Sequence, residues 1–265
     1  MTSQGRPLRA VLFDYGHTLI HFDDRPHSAL LSAYKKVNRL LAETLSQEIP
    51  AAEVLIERVS KAVDDAIQRD YALGRPEEVE IASIYDQALR ALRLELAPEV
   101  IERVMEIEQE GWLHSVHVGA DVKPTLERLK AAGLLLGVVS NAAYRPRLML
   151  RQAEELGLAS YFDALTFSSA VGVRKPHPAI YQDALRRLRV KGENCLFVGD
   201  RVKEDVRGPQ SLGMRGVLLR EWRQEDDPGV ADYVIERLSE LPEIVERLLE
   251  ESAPAGTYNE VTSPE

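Results

Sequence analysis

The chain has 265 residues, 45% of them hydrophobic and 29% charged, and a formal net charge of −10 from 43 acidic and 33 basic side chains. This is the composition of an ordinary soluble globular protein, large enough for one sizeable domain or two modest ones. The acidic balance argues against a sequence-independent nucleic-acid binder, and no stretch nears the roughly 18 apolar residues of a membrane span. Met1 to Arg9 carries no apolar signal core, and the single cysteine, Cys195, cannot form an internal disulfide. The expected setting is therefore cytoplasmic, without nucleic-acid or membrane partners.

In chain order, Ala10-Val-Leu-Phe13 reads as a short buried strand that delivers Asp14 into a turn, Tyr15-Gly-His-Thr18. Residues 21–117 then carry apolar side chains at helical spacing. Leu30, Leu31, Tyr34, Val37 and Leu41 make one stripe; Val54, Leu55, Val59, Val63 and Ile67 make a second. Gly74-Arg-Pro76 breaks the pattern, which resumes through Ile81, Ile84, Tyr85, Ala88 and Leu92, and again through Val100, Ile101, Val104 and Ile107 after Pro98. The expectation is an all-helical cap inserted after the first strand.

From Asp121 onward helices and strands alternate. A helix over Pro124 to Ala132 stops at Gly133, and Leu134 to Val139 is an apolar strand running into Ser140-Asn141. A helix around Arg147 to Leu156 leads to the strand Asp163 to Phe167, followed by Ser168 and Ser169. The loop Val173-Arg-Lys-Pro-His-Pro178 feeds a helix, and the strand Cys195 to Val198 ends in Gly199-Asp200, with Asp205 on the helix after it. Arg215 to Leu219 and Asp232 to Ile235 complete the strands, and Leu238 to Leu249 is the last helix. Strands separated by single helices imply βαβ units. The fold class is α/β, with a Rossmann-like parallel-sheet core over residues 8–20 and 118–250, the helical cap over 21–117, and a disordered tail over 251–265.

Asp14, Ser140, Lys175, Asp200 and Asp205 thus fall at strand ends or in the loops beyond them, where open α/β sheets bind ligands. Carboxylates converging there repel one another unless a cation sits among them, and hard oxygen ligands suit Mg²⁺. A lysine and a hydroxyl at the same edge would hold phosphoryl oxygens. Taken one at a time, these residues are ordinary turn formers, helix caps and solvated charges.

The four groups together, Phe13-Asp14-x-x-x-Thr18-Leu19, Val138-Val-Ser-Asn141, Arg174-Lys-Pro176 and Gly199-Asp-x-x-x-x-Asp205, resemble the motifs of the haloacid dehalogenase-like (HAD) hydrolase superfamily. The helical insert between the first two is similar to the family's C1-type cap. The resemblance implies a Mg²⁺-dependent phosphatase of a small phosphorylated metabolite. In it Asp14 is the nucleophile that forms an aspartyl-phosphate and also binds the metal. Asp200 and Asp205 complete the metal site with the backbone carbonyl of Gly16. Ser140, Asn141 and Lys175 contact the phosphate, with Ser140 and Lys175 acting in catalysis.

The chain departs from the family pattern at one place. The residue two beyond the nucleophile is usually a second aspartate, the general acid and base; here it is Gly16, followed by His17. General acid–base help is worth roughly 10²–10⁴ in rate, so alkyl phosphates should suffer more than substrates with good leaving groups. His17 is the candidate replacement. The same gap admits two alternatives: an impaired HAD domain that binds a phosphorylated ligand or partner, and a metal-independent 2-haloacid dehalogenase. The dehalogenases usually carry Tyr-Gly-Thr here with a cap arginine, while phosphonatases use a cap lysine, for which Lys35, Lys36 and Lys61 are the candidates. Oligomeric state and the inward-facing cap residues, among Tyr34, Tyr71, Tyr85 and Trp112, are not readable from the pattern.

Overall fold

The computed structural model describes residues 7–22, 27–112, 115–223 and 227–252. Six parallel strands form one sheet in the order β5-β4-β1-β6-β7-β8: β1 Ala10–Phe13, β4 Leu135–Ser140, β5 Ala164–Phe167, β6 Cys195–Gly199, β7 Arg215–Leu219 and β8 Tyr233–Ile235. β1 has β4 on one side and β6 on the other, with Phe13 level with both Val138 and Val198. The chain runs outward from β1 to β4 and β5, then crosses back to β6. This reversal opens a crevice at the strand ends, and Asp14, Ser140 and Asp200 all emerge there.

Both faces of the sheet are covered, which is why its strands read as unbroken apolar runs. On one face Val11, Phe13, Val138 and Val198 pack with Leu126 and Leu129 of helix α6 (Val122–Ala131) and Val245 of α11 (Leu241–Ser252). On the other, Leu12, Val139 and Phe197 pack on Ile180, Tyr181 and Ala184 of α9 (Pro178–Leu188). Cys195 is buried in that second layer, and burial pushes its thiol up to about 12, so it behaves as a small hydrophobe. Gly133 ends α6 with φ +79°, the left-handed conformation that glycine adopts freely.

Between β1 and β4 lie α1 (His27–Thr44), α2 (Ala52–Leu55), a π-turn (Ile56–Ser60), α3 (Lys61–Ala72), α4 (Ile81–Ala91) and α5 (Pro98–Trp112). They enclose a hydrophobic core of their own, built on Tyr34, Val37, Leu41, Leu55, Val59, Val63, Tyr85 and Val104. Val54, assigned from its spacing to the buried stripe, is 43% exposed; the buried set runs instead Leu55, Val59, Val63 and Ile67, one residue in four. The helices are flanked by a ribbon that the helical pattern did not announce, β2 (Ile20–Phe22) antiparallel to β3 (Val116–Val118). The expected boundaries at 20/21 and 117/118 fall inside this ribbon. At the other end α11 runs to Ser252, two residues into the expected tail, and residues 253–265 lie outside the described residues. No helix among the described residues is long and apolar enough to cross a membrane.

Candidate active site

Asp14 follows the last residue of β1, and its backbone N–H donates to the Val198 carbonyl at 2.8 Å, holding the turn against β6. The Lys175 ammonium, buried under the sheet edge, donates to Asp14 Oδ1 at 2.6 Å and to Asp205 Oδ1 at 2.7 Å. Asp205 is itself fully buried, and its other oxygen accepts the Arg201 N–H at 3.0 Å. Burial alone would lower the Lys175 ammonium, but its two carboxylate partners outweigh that and hold it above the ordinary lysine range. Burial pushes the Asp205 carboxyl up and Lys175 pulls it back. With the ammonium in direct contact, we read the cluster as one cation shared by two carboxylates.

Asp205 reaches this position because the residue facing it is Gly199: a Cβ there would lie 2.4 Å from the Asp205 carboxyl carbon. Asp205 sits in a π-turn, Val202–Arg207, that begins two residues past Asp200. Asp14, Asp200 and Asp205 are all buried and bring ligand oxygens within 4.8 Å of one another, the one such cluster among the described residues. Three converging carboxylates, with the Lys175 ammonium on Asp14 and Asp205 and the Arg223 guanidinium on Asp200, still leave excess negative charge at the sheet edge. The donor set is all oxygen and fits a hard divalent cation.

Above the cluster lies a cavity of about 590 Å³. Asp14, Gly16, His17, Ser140, Asn141 and Asp200 line its floor; Asp64, Ile67, Gln68, Tyr71, Gln109 and Trp112 line its roof from the helical insert. Of the four aromatic candidates, Tyr71 and Trp112 therefore face the cavity. Tyr34 and Tyr85 turn into the insert and donate to the buried Glu108 at 2.5 and 2.7 Å. Lys35 and Lys36 are exposed, and Lys61 pairs with Glu57 at the surface, so none of the three serves the cavity.

Asn141 spends its side-chain amide on the neighbouring loop. Its Oδ1 accepts the Lys175 N–H at 2.7 Å, and its Nδ2 donates to the Lys175 carbonyl at 3.3 Å. His17 lines the cavity in the left-handed region, φ +59°, where glycine is the easy residue, and its ring packs 5.4 Å from Phe22. His21 is buried against Trp222 and His117, His177 caps α9 by accepting the Ala179 N–H, and His114 lies outside the described residues.

Two side chains of the site carried no motif in the sequence. Arg223, beyond β7, donates to Asp200 Oδ2 at 2.9 Å. Glu204 lines the cavity beside Asn141, its carboxyl pushed up by burial. Glu204 adjoins Asp205 and was within reach of the motif; Arg223 comes to Asp200 from another strand connection and leaves no local signal.

The fold and its site define a class: a parallel α/β core with a buried aspartate at the end of the switch strand and two further buried carboxylates beside it. The family described as haloacid dehalogenase-like hydrolase matches residues 8–213, and the chain belongs to it. It is 29% identical over 250 residues to a glyceraldehyde 3-phosphate phosphatase of Methanopyrus kandleri, covering 91% of this chain and 98% of that one. Among solved structures, a HAD phosphatase from Thermococcus onnurineus superposes with a TM-score of 0.60 at 27% identity, covering 90% of this chain and 98% of that one. A 2-haloacid dehalogenase from Pseudomonas syringae pv. Tomato gives 0.62, also at 27%, covering 91% and 99%.

Proposed function

We propose that this hydrolase is a Mg²⁺-dependent phosphatase of a small phosphorylated metabolite. The observation that carries the reading is the buried cluster of Asp14, Asp200 and Asp205 around Lys175, opening into a cavity with Ser140 at its floor. Displacing halide from carbon and hydrolysing the resulting ester need a nucleophile and a base for water but no cation, whereas a phosphoryl group needs a cation and donors around its oxygens. In support, a relative similar over nearly its whole length is named for a phosphatase of a triose phosphate.

In this reading an Asp14 oxygen attacks phosphorus, the P–O bond to the leaving group breaks, and an aspartyl-phosphate forms. Water then cleaves the aspartyl-phosphate and frees Asp14 and inorganic phosphate. Lys175 offsets the charge gathered between Asp14 and the phosphoryl oxygens, and the Ser140 hydroxyl donates to one of those oxygens. Asp14, Asp200, Asp205 and the Gly16 carbonyl would hold Mg²⁺, which supplies further neutralisation of the transferring group. Asn141 serves the phosphate site by fixing the Lys175 main chain. His17, on the cavity wall beside Gly16, is the candidate proton donor to the leaving oxygen. The helices between β2 and β3 act as the cap, with Tyr71, Gln68 and Trp112 facing the non-phosphate part of the substrate.

p-Nitrophenyl phosphate, whose phenolate leaves with little protonation, tests the reading without asking for a general acid. Turnover that needs Mg²⁺, stops in EDTA and vanishes in Asp14→Asn is the expected outcome. Glyceraldehyde 3-phosphate is the first metabolite to assay. Activity on 2-haloacids that persists in EDTA would replace the reading with the dehalogenase, and phosphate binding without turnover would replace it with the binding module.

A further inference from the structure

Between α3 and α4 the insert dips to the core beside the loop that carries Lys175. The Arg174 N–H donates to the Pro76 carbonyl at 2.7 Å and the Glu78 N–H to the Gly172 carbonyl at 3.0 Å, forming an antiparallel bridge at Glu77 and Val173. The Arg174 side chain, 3% exposed, donates to Asp70 Oδ2 and to the Arg75 carbonyl and lies 4.2 Å over the Tyr71 ring. The Glu78 carboxylate accepts from the Tyr71 hydroxyl at 3.3 Å and from the Ser168 hydroxyl. Ser168, fully buried just past β5, accepts in turn from the Ala142 N–H at 2.7 Å. Ala142 directly follows Ser140 and Asn141.

We propose that Glu78 is a positioning residue of the phosphate site: acting through Ser168, it fixes the main chain of the Ser140–Ala142 loop. The site is then complete only while this stretch of the insert is docked. The inference rests on the phosphatase reading, since it takes that loop as the one that meets phosphate. Glu78 itself does not line the cavity. A serine hydroxyl has one proton, and giving it to a carboxylate turns the oxygen's lone pairs toward the Ala142 N–H. Without Glu78 the proton has a competing acceptor in the Ala142 carbonyl, 3.3 Å from Ser168 Oγ, and the amide loses its fixed partner.

The test uses the full chain in Mg²⁺ with Glu78→Ala, Ser168→Ala, the double variant and Glu78→Gln. The measurements are calorimetric Kd for inorganic phosphate, kcat and KM for p-nitrophenyl phosphate, and Tm. Either alanine variant should raise the phosphate Kd and the KM about tenfold, a change of about 1.4 kcal/mol, with kcat moving much less. The double variant should be no weaker than the singles, because both cut one chain of contacts. Glu78→Gln keeps an acceptor for the serine hydroxyl and should recover most of the loss. Additive losses, or an unchanged Kd with only a lowered Tm, overturn the proposal. A wild type that binds phosphate but does not turn over p-nitrophenyl phosphate overturns the phosphatase reading alone, because Kd still reads the relay. A wild type that binds no phosphate overturns both.

Discussion

At the scale of single residues the decisive position is Gly16. In the proposed phosphatase an aspartate there would offer a carboxyl to the leaving oxygen, and the space is nearly available. A Cβ at Gly16 would meet only the Phe22 ring, at 3.2 Å, and that ring is 46% exposed and able to shift. Gly16→Asp is therefore expected to fold. It should raise kcat/KM for alkyl phosphates such as glycerol 3-phosphate by about 10²-fold, while changing p-nitrophenyl phosphate turnover by less than about threefold. Equal gains on both substrates would mean that the new carboxylate acts on the metal site instead of on the leaving group. The same comparison run on His17→Gln reports on the native donor. If His17 protonates the leaving oxygen, its removal hurts the alkyl phosphate selectively.

At the scale of elements, the insert is organised around a buried acid. Glu108 on α5 is 1% exposed and accepts from Tyr34, Tyr85 and Ser60, the last residue of the π-turn. The irregular turn thus carries a hydroxyl to a carboxylate that three helical segments share. Burial raises the Glu108 carboxyl above its unfolded value of 4.5, so the folded chain binds the proton more tightly than the unfolded chain does. Its contribution is fully present below about 4.5 and declines as pH rises through the folded value. Stability measured from about pH 5 to about pH 8 should therefore fall less steeply in Glu108→Gln than in the wild type. Glu108→Ala, which strands three hydroxyls, should lose about 3 kcal/mol near about pH 5 and progressively less as pH rises. Parallel slopes in the wild type and Glu108→Gln would show that Glu108 does not titrate in this window.

These elements also show what the sequence could convey. The buried strands were legible as apolar runs, Asp14, Ser140 and Asp200 because each stands at or just past the end of such a run, and Lys175 and Asp205 because they complete motifs that resemble those of the family. The three-residue ribbon strands Ile20–Phe22 and Val116–Val118 are too short for a period to register. Val54 stands outside the stripe because it lies one residue, about 100° around the helix, from Leu55, and the spacing of four that follows runs from Leu55. The partnerships of Glu78 with Ser168 and of Arg223 with Asp200 join residues 90 and 23 positions apart, and only the assembled chain brings them together.

At the scale of the whole molecule, the insert is held to the core by a row of charges as well as by the Arg174 contacts. α5 presents Glu102, Glu106 and Glu110, one helical turn apart. Arg145, Arg147 and Arg151, at and within helix α7 (Pro146–Glu155), meet them from the core. α7 begins six residues past Ser140, so this row fixes the insert over the Ser140–Ala142 loop. Each pair is partly solvated and worth at most about 1 kcal/mol alone, but Arg147 reaches both Glu102 and Glu106, and a network loses more than one pair when its middle member is reversed. Arg147→Glu sets three carboxylates together at the junction. It should raise KM for p-nitrophenyl phosphate by about threefold to tenfold at low salt, with a smaller effect at about 1 M salt, where the screening length falls to about 3 Å. Adding Glu106→Arg restores opposite charges across the junction and should return KM toward the wild-type value. If the swap fails while Tm and circular dichroism stay native, the charges do not set the insert's position, and the Arg174 and Glu78 contacts with the main-chain bridge at Glu77 and Val173 hold it.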